Sequence, residues 1–154
     1  MINLVKQKKT KIIVGTIVLI ISLLSVVGWS YGILQANVAG AYGNGILVKK
    51  NPQKAVEWIQ KSAEKGNRYG ARLLGQCYLH GYGVEKNEEK GFQLIQKAAE
   101  RNYPDAQHDI STLYYQGFAC EKNQEEGLRW RIKAAENGQR EAQEELGKQY
   151  TWGK

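Results

Sequence analysis

Histidine and cysteine are scarce in this sequence, two of each in 154 residues, and that scarcity removes several kinds of chemistry at once. Two cysteines do not make a disulfide framework. Cys77 and Cys120 read as small buried hydrophobes, with a single bridge in an oxidising compartment as the open alternative. His80 and His108, with those two scattered thiols, supply no metal set at ligand spacing. His108, Asp109 and Ser111 lie close in sequence but point in different directions on one helix, so they form no catalytic triad. Gly81 and Gly83 are not followed by the lysine and hydroxyl of a phosphate loop, so they read as a turn. The reading is therefore of no catalytic residue, no metal, no cofactor and no small-molecule substrate.

Acid is missing from one stretch only. The formal charge is +7, from 22 basic and 15 acidic residues. Four of the lysines, Lys6, Lys8, Lys9 and Lys11, stand in the first eleven residues, which contain no acid; the remainder carries 18 bases against 15 acids. There Lys and Arg alternate with Glu and Gln along helix faces, a solvated pattern and not a phosphate track, so nucleic acid is not an expected partner.

Charge is absent altogether from Ile12 to Trp29, 18 residues that as a helix cover about 27 Å, close to a hydrocarbon core. Trp29 and Tyr31 mark its far edge, where aromatic rings favour the interface. The lysines on the near side set the orientation: N-terminus cytoplasmic, and everything after Tyr31 across an inner, cytoplasmic membrane. The expected division is a basic tail over 1–11, a transmembrane signal anchor over 12–30 and a repeat region over 31–154. Gly28 and Ser30 could instead precede a cleavage before Tyr31, but the run is long for a signal peptide and no helix breaker introduces the site. No cysteine follows, so a lipoprotein anchor is excluded.

The repeat region is organised on a gapless period of 36. Tyr42, Tyr78, Tyr114 and Tyr150 recur at that spacing, as do Gly45, Gly81, Gly117 and Gly153, Asn51, Asn87 and Asn123, and Lys61, Lys97 and Lys133. A fixed period of this size means a stacked array. The units are 32–67, 68–103, 104–139 and a partial 140–154. Each full unit reads as two helices. The first, about Tyr69 to His80, carries Gly70, Ala71, Leu74, Gly75 and Tyr78 on one face, where small residues admit a neighbouring backbone. A glycine ends it. The asparagine column caps the second helix; Pro52 follows Asn51, and Asn123 with Glu126 suggests a capping box. Its buried stripe is Ala55, Trp58, Ile59, Ser62 and Ala63, then Gly91, Leu94, Ile95, Ala98 and Ala99, then Gly127, Trp130, Ala134 and Ala135. Helix ends fall at Gly66–Asn67, Asn102 and Asn137–Gly138. Leu34 to Tyr42 shares the register of Gly70 to Tyr78, so the membrane helix is expected to run on into the first repeat helix. Glu141, Glu144, Glu145 and Lys148 give the last unit the polar face of a terminal cap.

The segment LLGQCYLHGYGVEKNEEKGFQLIQKAAERN resembles a Sel-1-like repeat, whose pattern places L-G, a tyrosine, G-x-G-V, an Asp or Asn and a closing K-A-A-E-x-G. The resemblance covers residues 32–154, with Ser111 replacing a glycine and Cys120 a valine. It implies an all-α fold, a right-handed α-solenoid related to tetratricopeptide arrays, which binds a protein partner on its concave face and catalyses nothing. A secreted branch staples each repeat with cysteines, but Ala99 and Ala135 hold those positions here. Family members anchored outside the cytoplasm include immunity proteins that neutralise antibacterial effectors; a scaffold or regulator of a membrane complex is the alternative.

On a helix wheel, the face opposite the Gly70/Leu74/Tyr78 stripe holds Arg72, Gln76, Leu79 and His80. One unit on it holds His108, Thr112, Tyr115 and Gln116, and in the last unit Lys148 and Trp152. First helices line the groove of such arrays, and Arg with aromatics dominates hot spots, so these are the expected partner-binding residues. His80 is equivalent to Asn44, Gln116 and Trp152, and His108 to Arg72; both columns read as chemically indifferent, exposed positions. On this reading, alanine at Arg72 and Tyr115 weakens partner capture and leaves the melting transition unmoved.

Overall fold

A computed structural model describes residues 37–45 and 49–152, with side chains through 149. The described chain is all helical. After α1 (37–44) come α2 (Pro52–Glu64), α3 (Arg68–His80), α4 (Glu88–Glu100), α5 (Pro104–Gln116), α6 (Gln124–Glu136) and α7 (Arg140–Trp152). From α2 to α7 the chief packing is between consecutive helices. The expected anchor over 12–30 lies outside the described residues, among which no helix is long and apolar enough to cross a membrane.

The asparagine column caps as expected. The side chains of Asn51, Asn87 and Asn123 accept from the backbone N–H of Lys54, Lys90 and Glu126 at 2.9, 2.9 and 3.0 Å. The capping box, however, does not close: the Glu126 carboxylate takes Arg129 instead, at 2.9 Å. The N–H it would have met donates to the carbonyl of Tyr114 at 3.0 Å, and Asn51 and Asn87 donate likewise to Tyr42 and Tyr78 at 2.8 and 2.9 Å. The tyrosine column thus closes the turn between the two helices of each full unit. Gly81 and Gly117 end α3 and α5 in the left-handed region, at φ of 68° and 66°. Among the described residues, two that are not glycine share that region, Asn102 at 57° and Ala119 at 62°. Ala119 holds the column of Gly83, whose φ is 69°.

The core falls into two patches. Ala39, Val56, Ile59, Leu74 and Cys77 form one; Leu79, Ile95, Ala98, Ala99, Ala106, Ile110 and Leu113 form the other. Val56 is buried, whereas Trp58, Leu94 and Trp130 are half-buried at its margin. Lys61 and Lys133 lie over the two indole rings at 4.6 and 4.4 Å, shielding their outer faces. Where α3 crosses α4 the backbones nearly touch. A Cβ at Gly75 would sit 2.5 Å from Ile95 Cγ1 and 2.8 Å from the Gly91 carbonyl; one at Gly91 would sit 2.7 Å from Leu79 Cγ. The small-residue stripe read from the sequence serves two crossings: Gly75 lies at this one, and Gly70 lies against Ser62 and Ala63 of α2.

Candidate partner-binding site

The first helices α1, α3, α5 and α7 share one face, and a line of ion pairs runs across it. Arg72 grips Asp109 with two bonds, Nε to Oδ2 at 2.6 Å and Nη2 to Oδ1 at 3.1 Å. Gln76 Nε2 donates to the same Oδ2 at 3.0 Å. Both charged side chains are about four-fifths buried, 20% and 17% exposed. Burial pulls the Arg72 guanidinium down, but the hydrogen bond and charge of Asp109 outweigh it and hold it above its ordinary value. One period on, 72 becomes 108 and 109 becomes 145. His108 Nε2 indeed stands 3.4 Å from Glu145 Oε2, which Arg131 Nε also approaches, at 3.0 Å. These contacts have ion-pair distances but not hydrogen-bond alignment.

The Arg72/His108 column is therefore not indifferent: Arg72 ties α3 to α5, and His108 faces Glu145 where α5 meets α7. Tyr115 is equally structural. Its ring lies under the Arg131 guanidinium at 4.1 Å, and a Cβ at Gly127 would come within 3.0 Å of it. Alanine at Arg72 and Tyr115 is thus expected to lower the melting transition, contrary to the helix-wheel reading. Asp109→Ala tests the junction alone. It strands a mostly buried guanidinium and an amide, and is expected to cost about 2 kcal/mol, between the values for exposed and buried pairs. Urea unfolding would read it, with Asp109→Asn recovering part of the loss.

Of the other expected groove residues, Leu79 is corrected. It is 3% exposed and belongs to the core, because α3 is packed by α4 on one side and by α5 on another, so its buried arc is wider than one stripe. Thr112 Oγ1 donates back to the His108 carbonyl at 3.1 Å. His80 and Gln116 are exposed, His80 stacking on Phe118 with ring centroids 6.2 Å apart. Lys148 is exposed on α7; the Trp152 side chain lies outside the described residues.

What the face does hold open is a crevice between α1 and α3 of about 450 Å³. Gln76 and His80 lie on its wall; Tyr69, Leu73 and Tyr82, which the helix wheel missed, complete it over a floor of Ala39, Gly43 and Ala55. Tyr82 is braced there, its hydroxyl donating to the Gly43 carbonyl at 3.0 Å. Cys77 also lines the crevice. Both cysteines are free, so the bridge left open by the sequence is not formed, and burial pushes both thiols up. Among the described residues, no group of three or more His, Cys, Asp and Glu side chains is arranged to hold a metal ion.

On the flank of the same array, the Tyr103 hydroxyl donates to Asp105 Oδ2 at 3.0 Å. Burial first, then that bond, pushes the phenol up to about 12 from 10.0. Folding thus favours the protonated form: this stabilisation is whole below pH 10 and is lost as the pH rises from 10 towards 12. Tyr103→Phe should flatten the fall of melting temperature across that interval.

Stacked two-helix units of constant length, each tied to the next, define an α-solenoid. The family model described as Sel1 repeat matches residues 34–67, 68–103 and 104–139, and the chain belongs to that family. Sel1 repeats mediate protein–protein interaction, and this array is an interaction module of that kind. A 36-residue stretch is 53% identical to a putative Sel1-like repeat-containing protein of Acanthamoeba polyphaga mimivirus, covering 23% of this chain and 6% of that protein. Among solved structures, a Sel1 repeat protein from Oxalobacter formigenes is 32% identical with a TM-score of 0.73, over 80% of this chain and 50% of that one. A protective antigen of uropathogenic Escherichia coli with the same fold is 26% identical with a TM-score of 0.72, over 86% of this chain and 28% of its own. The chain therefore spans half the length or less of these relatives.

Proposed function

We propose that this protein is a non-catalytic binding module, held at a membrane by residues 12–29 with its repeats outside the cytoplasm, that captures one specific protein. The observation that carries the reading is the crevice between α1 and α3: an apolar floor with convergent polar groups, Gln76 and His80, on the helix face that such arrays use for partners. The four-lysine flank and the uncharged run support the anchor and its orientation. In its narrower form the partner is an antibacterial effector, which the module neutralises as an immunity protein; this rests on the resemblance to anchored family members.

The test is affinity capture from the source cell's membrane extract with the full-length protein in detergent. One protein recovered in stoichiometric amount at moderate salt supports the reading, and its identity decides the narrower form. Replacing 12–29 by an unrelated membrane anchor should leave capture intact. Loss of capture on that exchange would place the interface in the anchor and favour a scaffold of a membrane complex.

A further inference from the structure

The crevice has a counterpart one repeat on, and there the chain fills it itself. Positions 43 and 79 are equivalent, as are 55 and 91, and 82 and 118. At the second location Leu79 occupies the space: its Cγ and Cδ2 lie where a Cβ at Gly91 would meet them at 2.7 and 2.8 Å, and Phe118 packs on the same core. At the first location the residue is Gly43. A Cβ built there points into the crevice, 3.4 Å from the Tyr82 hydroxyl and 3.8 Å from Ala55 Cβ. Among the described residues the array thus has an opening at a register position that Leu79 fills one unit on and Tyr115 two units on. Among the described residues no carboxylate, lysine or arginine lines that opening, so an ionised side chain entering it would lose its hydration without gaining a counter-charge from them.

We propose that this opening is an anchor pocket that receives a leucine-sized branched aliphatic side chain from the protein partner, taking in trans the place that Leu79 takes in cis. This rests on the protein-binding reading of the same face and names the chemistry of the group recognised. The volume exceeds one such side chain and admits the segment that presents it, with Gln76 and His80 at the wall to meet its backbone. Tyr69 and Tyr82, 42% and 37% exposed, are the rigid amphipathic rim such an anchor calls for.

The test uses full-length protein in detergent, labelled at isoleucine and leucine methyl groups, titrated with blocked pentapeptides Ala-Ala-Xaa-Ala-Ala. With leucine at Xaa, saturable shifts are expected at Ile59 and Leu73; with alanine, affinity should fall about tenfold or more, the burial of one aliphatic side chain. Aspartate or lysine at Xaa should produce none. Gly43→Leu, which closes the pocket from within, should abolish the leucine-peptide shifts while the far-UV circular dichroism stays unchanged. Equal response to leucine and aspartate peptides, or no response to any, overturns the proposal. So does a shift of Ile59 and Leu73 with protein concentration alone, which would make a second copy the occupant. The peptide contrast stands independently of whether Gly43→Leu folds. If a captured partner binds wild type and a folded Gly43→Leu variant alike, the module reading survives and the anchor pocket fails. If wild type captures nothing, the module reading itself fails.

Discussion

Gly83→Ala is expected to lower stability by about 3 kcal/mol, combining the left-handed penalty with a clash. The backbone at Gly83 has φ of 69°, and a Cβ would lie 2.4 Å from the Pro52 carbonyl oxygen and 2.6 Å from its carbon. Neither atom can move without shifting the start of α2. The reciprocal change one repeat on has the opposite sign. Ala119 already holds the left-handed conformation, at φ of 62°. Ala119→Gly should stabilise by roughly 0.5–1 kcal/mol, the relief of that strain less the greater freedom of glycine when unfolded. Denaturant unfolding of the two variants checks both; if they shift stability in the same direction, the column is not governed by backbone conformation.

Gly75→Ala should cost a similar amount, about 3 kcal/mol by overpacking, although alanine is the better helix former by about 1 kcal/mol. Its Cβ would meet Ile95 Cγ1 at 2.5 Å and the Gly91 carbonyl at 2.8 Å, forcing α3 and α4 apart. In the next unit the same column is Ser111, tolerated because its neighbours differ: Ile95 becomes Arg131 and Leu79 becomes Tyr115. Ser111 is wholly buried, and its hydroxyl finds no hydrogen-bond partner among the described residues. Ser111→Ala is therefore expected to be neutral or to stabilise by about 1 kcal/mol, since it removes a desolvated hydroxyl. Thermal melts of Gly75→Ala and Ser111→Ala should move in opposite directions. A common fall would mean that both crossings are equally tight.

Much of this fold was legible because its determinants are local. The period, the asparagine caps, the glycine stops and the small-residue stripe each act within a few residues, and α3 begins within one residue of the expected position. The ion-pair line was not legible, because Arg72 meets a residue 37 positions away while the columns run at 36. Reading down a column sets Arg72 beside His108 and hides the acid that each of them grips. Leu79 was misplaced because a wheel assigns one buried arc, whereas α3 is buried from two sides. The crevice did leave a trace in the sequence: glycine at 43 against leucine at 79 is a difference in volume at a core position.

The ion-pair line also makes the units grammatically unequal. Each junction needs a base in the earlier unit and an acid in the later one, and the units carry these words unevenly: unit 68–103 has the base Arg72 but Leu73 at the acid's position, whereas unit 104–139 has both His108 and Asp109. A tandem copy of 68–103 would set Arg72 against a leucine and open a seam. A tandem copy of 104–139 would set His108 against a second Asp109 and leave Arg72 and Glu145 still matched. Of the full units, 104–139 is thus the one through which an array with this junction can lengthen, by design or by gene duplication, without a break in its stitching.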